Sequence, residues 1–254
     1  MKRSVLVALF LLGGCVSQAP TGPSITPTAH TDFRHDTLAL TWQPGFCATG
    51  GGCEWDQTHR ISIGLHGLWA SEPHALEAQG VPVQEWWSKG CDLYDHNDTP
   101  PQLLPTTVEA LRGVVPHLKK PLYVHEYTKH ARCFGYDADR FFITSMEMRD
   151  RFAASAFGLW LAQQSGFQVN RDDMLTTFAR LMNVRDSRAL QVRCEPAHNG
   201  QMVLTQLWFT LDPKKLSRFP YEGAYLSSPD DQNGCPATFL VPGWTAPSAV
   251  DQRP

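Results

Sequence analysis

A chain of 254 residues with 42% hydrophobic content can bury one sizeable core. Its formal net charge of −3 excludes a protein that grips nucleic acid through a broad basic face. Nineteen Pro and 19 Gly predict many loops, and no internal repeat or heptad pattern is present.

The amino terminus reads as an export signal. Lys2 and Arg3 precede an apolar run from Val5 to Leu12, which is too short to span a bilayer stably. Leu12-Gly13-Gly14-Cys15 looks like a bacterial lipobox, which implies cleavage before Cys15 and lipid on its thiol. The alternative is an ordinary signal peptide with an incidental cysteine. A triacylated Cys15 would carry more chains than the two signals that stable anchoring takes. Val16 follows where an Asp would favour inner-membrane retention, so the outer membrane is the expected location. The expected divisions are a signal over 1–14, a lipidated Cys15 and flexible tether over 15–31, and one domain over 32–254. Loss of the signal removes two of 22 basic residues and no acid, leaving 20 against 25 and a net charge of −5. Attraction for a polyanion must then be local.

Beyond Cys15 stand six cysteines: Cys47, Cys53, Cys91, Cys133, Cys194 and Cys235. An even number in an exported chain argues for three disulfides, among 15 possible pairings. Proximity across Gly50-Gly51-Gly52 favours Cys47–Cys53. The spacings lack a zinc-ribbon pattern, so no metal is expected on them.

Alternation over Thr37–Trp42 predicts a strand, and Ile61–Leu65 a second that leads into His66. Thr106 with Glu109 resembles a capping box for a short helix ended by Pro116. Pro121–Val124 reads as a brief apolar strand or approach to His125. Thr144 with Glu147 predicts a helix start, with Met148, Phe152, Ala156 and Leu159 on one stripe up to Gly166. Asn170 with Asp173 predicts another helix, and Leu190–Cys194 and Met202–Asp212 two strands. Helices mixed with strands without βα alternation indicate an α+β fold.

Two segments carry the chemistry: His66-Gly67-Leu68-Trp69 and His125-Glu126-Tyr127-Thr128-Lys129-His130. On a helix, Glu126 and His130 share a face, as do His125 and Lys129 on the adjacent stripe. A zinc-protease motif needs its histidines four apart; His125 and His130 are five apart, about 140° around a helix, and Lys129 stands where the second ligand would be. No metal or other cofactor is expected. Cleaving RNA needs a base for the 2′-hydroxyl proton and an acid for the departing 5′-oxygen, and imidazoles serve as both near neutral pH. Lys129 and a protonated His125 can meet the charge that builds on the phosphate.

At these residues the chain resembles the ribonuclease T2 family, in its bacterial ribonuclease I-like branch. His66–Trp69 matches the family's first active-site segment and His125–His130, followed by Cys133, its second. Leu38–Cys47, Gly80–Cys91, Cys133–Tyr136 and Asn233–Cys235 extend the likeness over most of the chain beyond the tether. The resemblance implies an α+β fold with a central antiparallel sheet flanked by helices and three disulfides, Cys47–Cys53, Cys91–Cys133 and Cys194–Cys235. It implies a monomeric, metal-independent endoribonuclease that cleaves single-stranded RNA through a 2′,3′-cyclic phosphate. His130 is the implied general base and His66 the general acid, with His125, Glu126 and Lys129 on the phosphate. Trp69, Ser71 and Gln43 are the expected substrate-binding residues. The chain departs from the family at Ala70 and Ser71, where Pro and often an acidic or small residue are usual, which implies loose base preference. It departs again at Tyr127, Ala131 and Arg132, the last expected to face solvent or to touch a phosphate. The implied setting is the periplasm or cell envelope, with the chain held to a membrane through Cys15 and scavenging RNA.

Overall fold

The computed structural model describes residues 22–50, 53–54, 56–57 and 61–244. The signal, Cys15 and the tether up to residue 21 lie outside them. Among the described residues no helix is long and apolar enough to cross a membrane.

The strands are β1 Asp36–Trp42, β2 Ile63–Ala70, β3 Gln168–Asn170, β4 Leu190–Pro196, β5 Met202–Leu211 and β6 Thr238–Leu240. The helices are α1 Gln43–Ala48, α2 His74–Ala78, α3 Val83–Lys89, α4 Pro105–Val114, α5 Leu122–His130, α6 Ala138–Ala153, α7 Ala156–Gln163 and α8 Arg171–Leu181. One six-stranded sheet runs in the order β2-β1-β5-β6-β3, with β4 also paired to β5. Its pairings are antiparallel except the single β5–β6 pair Val203–Leu240, so the expected antiparallel sheet carries one parallel contact.

Leu38, Leu40 and Trp42 of β1, Leu207, Phe209 and Leu211 of β5, and Leu190 and Val192 of β4 are fully buried. Phe152, Phe178, Phe219 and Tyr225 gather around Phe209, the nearest ring centroid at 4.7 Å. Each such side chain contributes about 1.5–3 kcal/mol by leaving water. Against this base the disulfides Cys47–Cys53, Cys91–Cys133 and Cys194–Cys235 are all formed.

The β2 strand does not stop before His66 but runs through it. Ala39 pairs with Gly67 and Leu40 with Leu65, which leaves His66 as the extra residue of a β-bulge. A bulge switches the parity of the residues beyond it. Ile63 and Leu65 face the core before it, Leu68 and Ala70 after it.

Several elements differ from the sequence expectation. Pro121–Val124 opens a helix rather than a strand, with Pro121 as the extended residue before the first turn. Pro105 occupies the first turn of α4, so Thr106 lies inside the helix and caps nothing. Helix α6 begins at Ala138, well before Thr144. Its cap is Asp137, which accepts from the Arg140 N–H, and Thr144 is buried mid-helix. A break at Ala154-Ser155 rephases the chain, and Ser155 caps α7. Phe157 and Leu161 therefore enter the core, while Leu159 is 56% exposed. Asn170 caps α8 as expected, accepting from the Asp172 and Asp173 N–H groups.

Residues 22–31, read as tether, lie against the body instead. The Gly22 N–H donates to the Ser217 carbonyl, the Thr28 and Ala29 N–H groups share the Phe134 carbonyl, and Ile25 is buried.

At the start of β1, Asp36 is 2% exposed and its Oδ2 has no hydrogen-bond partner among the described residues. Burial, and next the charge of Asp212, push its carboxyl up to about 8. The folded chain thus holds a proton that the unfolded chain releases near 3.8. This stabilisation is full below the unfolded value and is lost as pH rises toward the folded one. Asp36→Asn is expected to raise Tm relative to the parent, by a margin that widens from about pH 4 to about pH 8 and then levels. A margin constant with pH in thermal melts would refute a buried neutral Asp36.

Candidate active site

Strand β2 and helix α5 supply the site. Among the residues of α5 only Glu126 is buried, so the helix directs a carboxylate, not an apolar side chain, at the sheet. Its Oε2 accepts from the Trp69 indole N–H at 2.6 Å, and its Oε1 lies 3.4 Å from His66 Nε2. The carboxylate can come this close because position 67 is glycine. A Cβ there would stand 2.1 Å from Glu126 Oε2 and 2.6 Å from Trp69 Nε1.

His66 and Trp69 meet on one side of the sheet because the bulge turns both toward α5. The Trp69 ring lies 5.4 Å from His66 and 5.3 Å from His130, between the two imidazoles. His130 closes α5 and is half-buried; His125, one turn back, is exposed, its ring 6.0 Å away. Ligand atoms of His125, Glu126 and His130 fall within 4.8 Å of one another, so the five-residue spacing does not hold the two histidines apart. Lys129 is half-buried beside them, with no carboxylate partner among the described residues. The end of α5 is pinned from outside. Gly90, at φ 55°, packs so tightly that a Cβ would sit 2.3 Å from the Lys129 carbonyl. Next to it Cys91 is tied to Cys133. The Tyr127 hydroxyl donates to the Tyr136 carbonyl at 2.7 Å.

Burial alone would push Glu126 up. The charge of His66, its hydrogen bond, the charge of His130 and the Trp69 hydrogen bond outweigh it and hold the carboxyl at about 2. For His130, burial is the largest influence and lowers it to about 4; Glu126 opposes, while Lys129, His125 and His66 add to the lowering. The result is a fixed anion beside an imidazole that stays neutral well below neutral pH. A neutral imidazole accepts a proton, and the adjacent carboxylate stabilises the cation so formed.

The other expected contacts fare differently. Gln43 is fully buried, with Nε2 3.4 Å from the Val114 carbonyl, so it belongs to the core and no base reaches it. Ser71 Oγ accepts from the Arg34 and His35 N–H groups at 3.0 and 3.1 Å, which commits the hydroxyl to the local backbone. Trp69 spends its N–H on Glu126 and positions the carboxylate. Arg132 neither faces solvent freely nor waits for a phosphate: it donates to the Asn97 and Thr99 carbonyls. Sequence reading missed Phe46, 6.2 Å from His66, and Trp208 of β5, 5.3 Å from Trp69. Trp208 was legible only as an outward position in a strand whose alternate residues are core. A separate cavity of about 230 Å³, lined by Val184, Asp186, Glu222 and Tyr225 among others, includes none of these groups.

Comparison with known proteins agrees with this geometry. The Ribonuclease T2 family model matches residues 33–220. Ribonuclease I of Escherichia coli (strain K12) is 27% identical over 237 residues, covering 83% of this chain and 86% of that protein. The fold is similar to that of RNase NT, solved in complex with 5′-AMP, at TM-score 0.59 and 16% identity, over 84% of this chain and 100% of that one. It is also similar to the self-incompatibility-associated SF11-RNase of Nicotiana alata, at TM-score 0.58 and 16% identity, over 83% and 100%. With both active-site segments inside the matched span, the chain belongs to the ribonuclease T2 family and is an endoribonuclease.

Proposed function

We propose that the chain cleaves single-stranded RNA by transesterification, with His130 as general base and His66 as general acid, and with little base preference. The observation that carries this reading is Glu126, a buried carboxylate shared by His66, His130 and the Trp69 indole. His130 takes the proton of the 2′-hydroxyl, and the freed oxygen attacks the phosphorus. The P–O5′ bond breaks, and the 5′-oxygen leaves with a proton from His66. The products are a 2′,3′-cyclic phosphate and a 5′-hydroxyl. Water then opens the cyclic ester with the two histidines in exchanged roles. Lys129 and His125 stand where negative charge develops on the phosphoryl oxygens. All of these groups come from one chain, which fits action as a monomer.

Mixed-sequence RNA in EDTA is expected to yield cyclic-phosphate ends by mass spectrometry, while DNA, which lacks the 2′-hydroxyl, stays intact. His66→Ala and His130→Ala are each expected to lose about 10²-fold or more in kcat/KM. Near-normal rates in both variants would remove the assignment.

The acid limb of kcat/KM against pH reports protonation of the free base. It is expected as pH falls through about 4, where His130 gains its proton. Glu126→Gln takes away the charge that raises His130, so that limb moves to lower pH. The maximal rate drops about tenfold or more as the histidine cation loses its counter-charge. An unmoved acid limb in this variant would show that Glu126 does not act on the base.

The setting follows from the amino-terminal motif. The proposed protein is a lipoprotein of the bacterial envelope, held by Cys15 and scavenging RNA outside the cytoplasm. Radiolabelled palmitate is expected to enter the parent and not Cys15→Ala; an unlabelled parent would end the anchoring proposal.

A further inference from the structure

The outer side of the sheet continues the site beyond its histidines. Ala39 of β1 pairs with Gly67 on one side and Trp208 on the other, so Trp208 stands in the same cross-strand row as the catalytic strand. Two strand spacings, about 10 Å, separate the two backbones. The Trp208 ring bridges that gap, its centroid 5.3 Å from Trp69. Leu207 and Phe209 on either side are fully buried, while Trp208 is half-buried. Its indole N–H donates to Gln206 Oε1 at 2.8 Å, which satisfies the polar edge.

On β4 the residue paired with Trp208 is Gln191; Arg193, two positions on and paired with Gln206, reaches diagonally so that its guanidinium carbon lies 4.6 Å from the Trp208 ring centroid. Nη1 donates to the Gln232 carbonyl. A guanidinium has five N–H donors. Among the described residues no carboxylate pairs with Arg193, and no other acceptor takes its remaining donors. Arg34 and Arg112 have carboxylate partners, while Arg140, Arg180, Arg185 and Arg218 are exposed with none among the described residues; Arg193 differs from all of these in lying half-buried on an indole ring. A half-buried cation with spare donors, set on an indole that touches the active-site tryptophan, suits an anion attached to a flat apolar group. A nucleotide is such a ligand.

We propose that Arg193 and Trp208 form a subsite for the nucleotide next to the scissile phosphate: Arg193 binds its phosphate and Trp208 packs against its base. This rests on the ribonuclease reading and extends it from the reacting phosphate to the strand that carries it. Neither contact reads a base edge, which accords with loose base preference.

The test compares single-stranded RNA with 2′,3′-cyclic CMP, which has no neighbouring phosphate. In Arg193→Gln the ratio of kcat/KM on RNA to that on cyclic CMP is expected to fall about tenfold, the scale of one base or phosphate contact. The slope of log(kcat/KM) on RNA against log[salt] should become shallower by about 0.7, one phosphate contact on a single strand. Trp208→Ala should lower the same ratio, and Trp208→Phe should restore it to within about threefold of the parent. An unchanged ratio and slope in Arg193→Gln, or equal losses on both substrates, would overturn the subsite. Binding of a 2′-deoxy oligonucleotide, followed by fluorescence anisotropy, separates this from the catalytic reading. A parent that cleaves nothing but binds more tightly than Arg193→Gln keeps the subsite and loses the catalysis. Equal binding by both overturns the subsite whatever the activity.

Discussion

One carboxylate organises this protein. Glu126 is charged and almost wholly out of water, a state that stands only because His66, His130 and the Trp69 indole surround it. An uncompensated buried charge of this kind costs several kcal/mol, so the partners cannot drift far without destabilising the fold. The constraint acts in both directions. The histidines hold the carboxylate ionised, and the carboxylate fixes two imidazoles from different elements at one place. Stability and chemistry thus depend on the same contacts.

Getting that carboxylate into place required two local departures from regular structure. A regular β2 would put His66 and Trp69 on opposite sides of the sheet, since they are three residues apart. The bulge at His66 brings them to one side, and the missing side chain of Gly67 opens the space that Glu126 fills. On the other element, the glycine at position 90 and the Cys91–Cys133 bridge press the end of α5 inward. The two active-site segments are therefore matched halves. One is a strand with a gap, and the other is a helix whose single buried residue is sized for it.

Much of this was legible in the sequence, for identifiable reasons. Period-2 and period-3.6 signals are local, so β1, β4, β5 and α8 stand where the pattern put them. The pairing of Glu126 with His130 follows from helical spacing alone. What failed depends on distant partners. Gln43 follows a strand and reads as polar and available, yet α4 closes over it. Pro121–Val124 has strand-like composition, but the helix it opens is held by the sheet and by Tyr136. The stripe from Met148 to Leu159 assumes one uninterrupted helix, and the capped restart at Ser155 turns Leu159 outward. The bulge itself shows in the sequence only as a parity change from Ile63 and Leu65 to Leu68 and Ala70, which the intervening His-Gly conceals.

Charge completes the physical picture. A chain with net charge −3 repels RNA at long range, and at physiological ionic strength that repulsion fades beyond about 8 Å. Binding must then be decided by cations within that distance of the strand. Lys129 and His125 flank the histidine pair, and Arg193 of β4 stands three strands from β2, beyond Trp208. All three lack a carboxylate partner among the described residues, whereas Arg34, Lys89 and Arg112 on the outer surface are paired. Ring contacts link His125, His130, Trp69, Trp208 and Arg193 into one line across this face of the sheet. Aromatic rings occupy the spaces between the cations on that line, so the same row that attracts phosphates also offers surfaces to the bases between them.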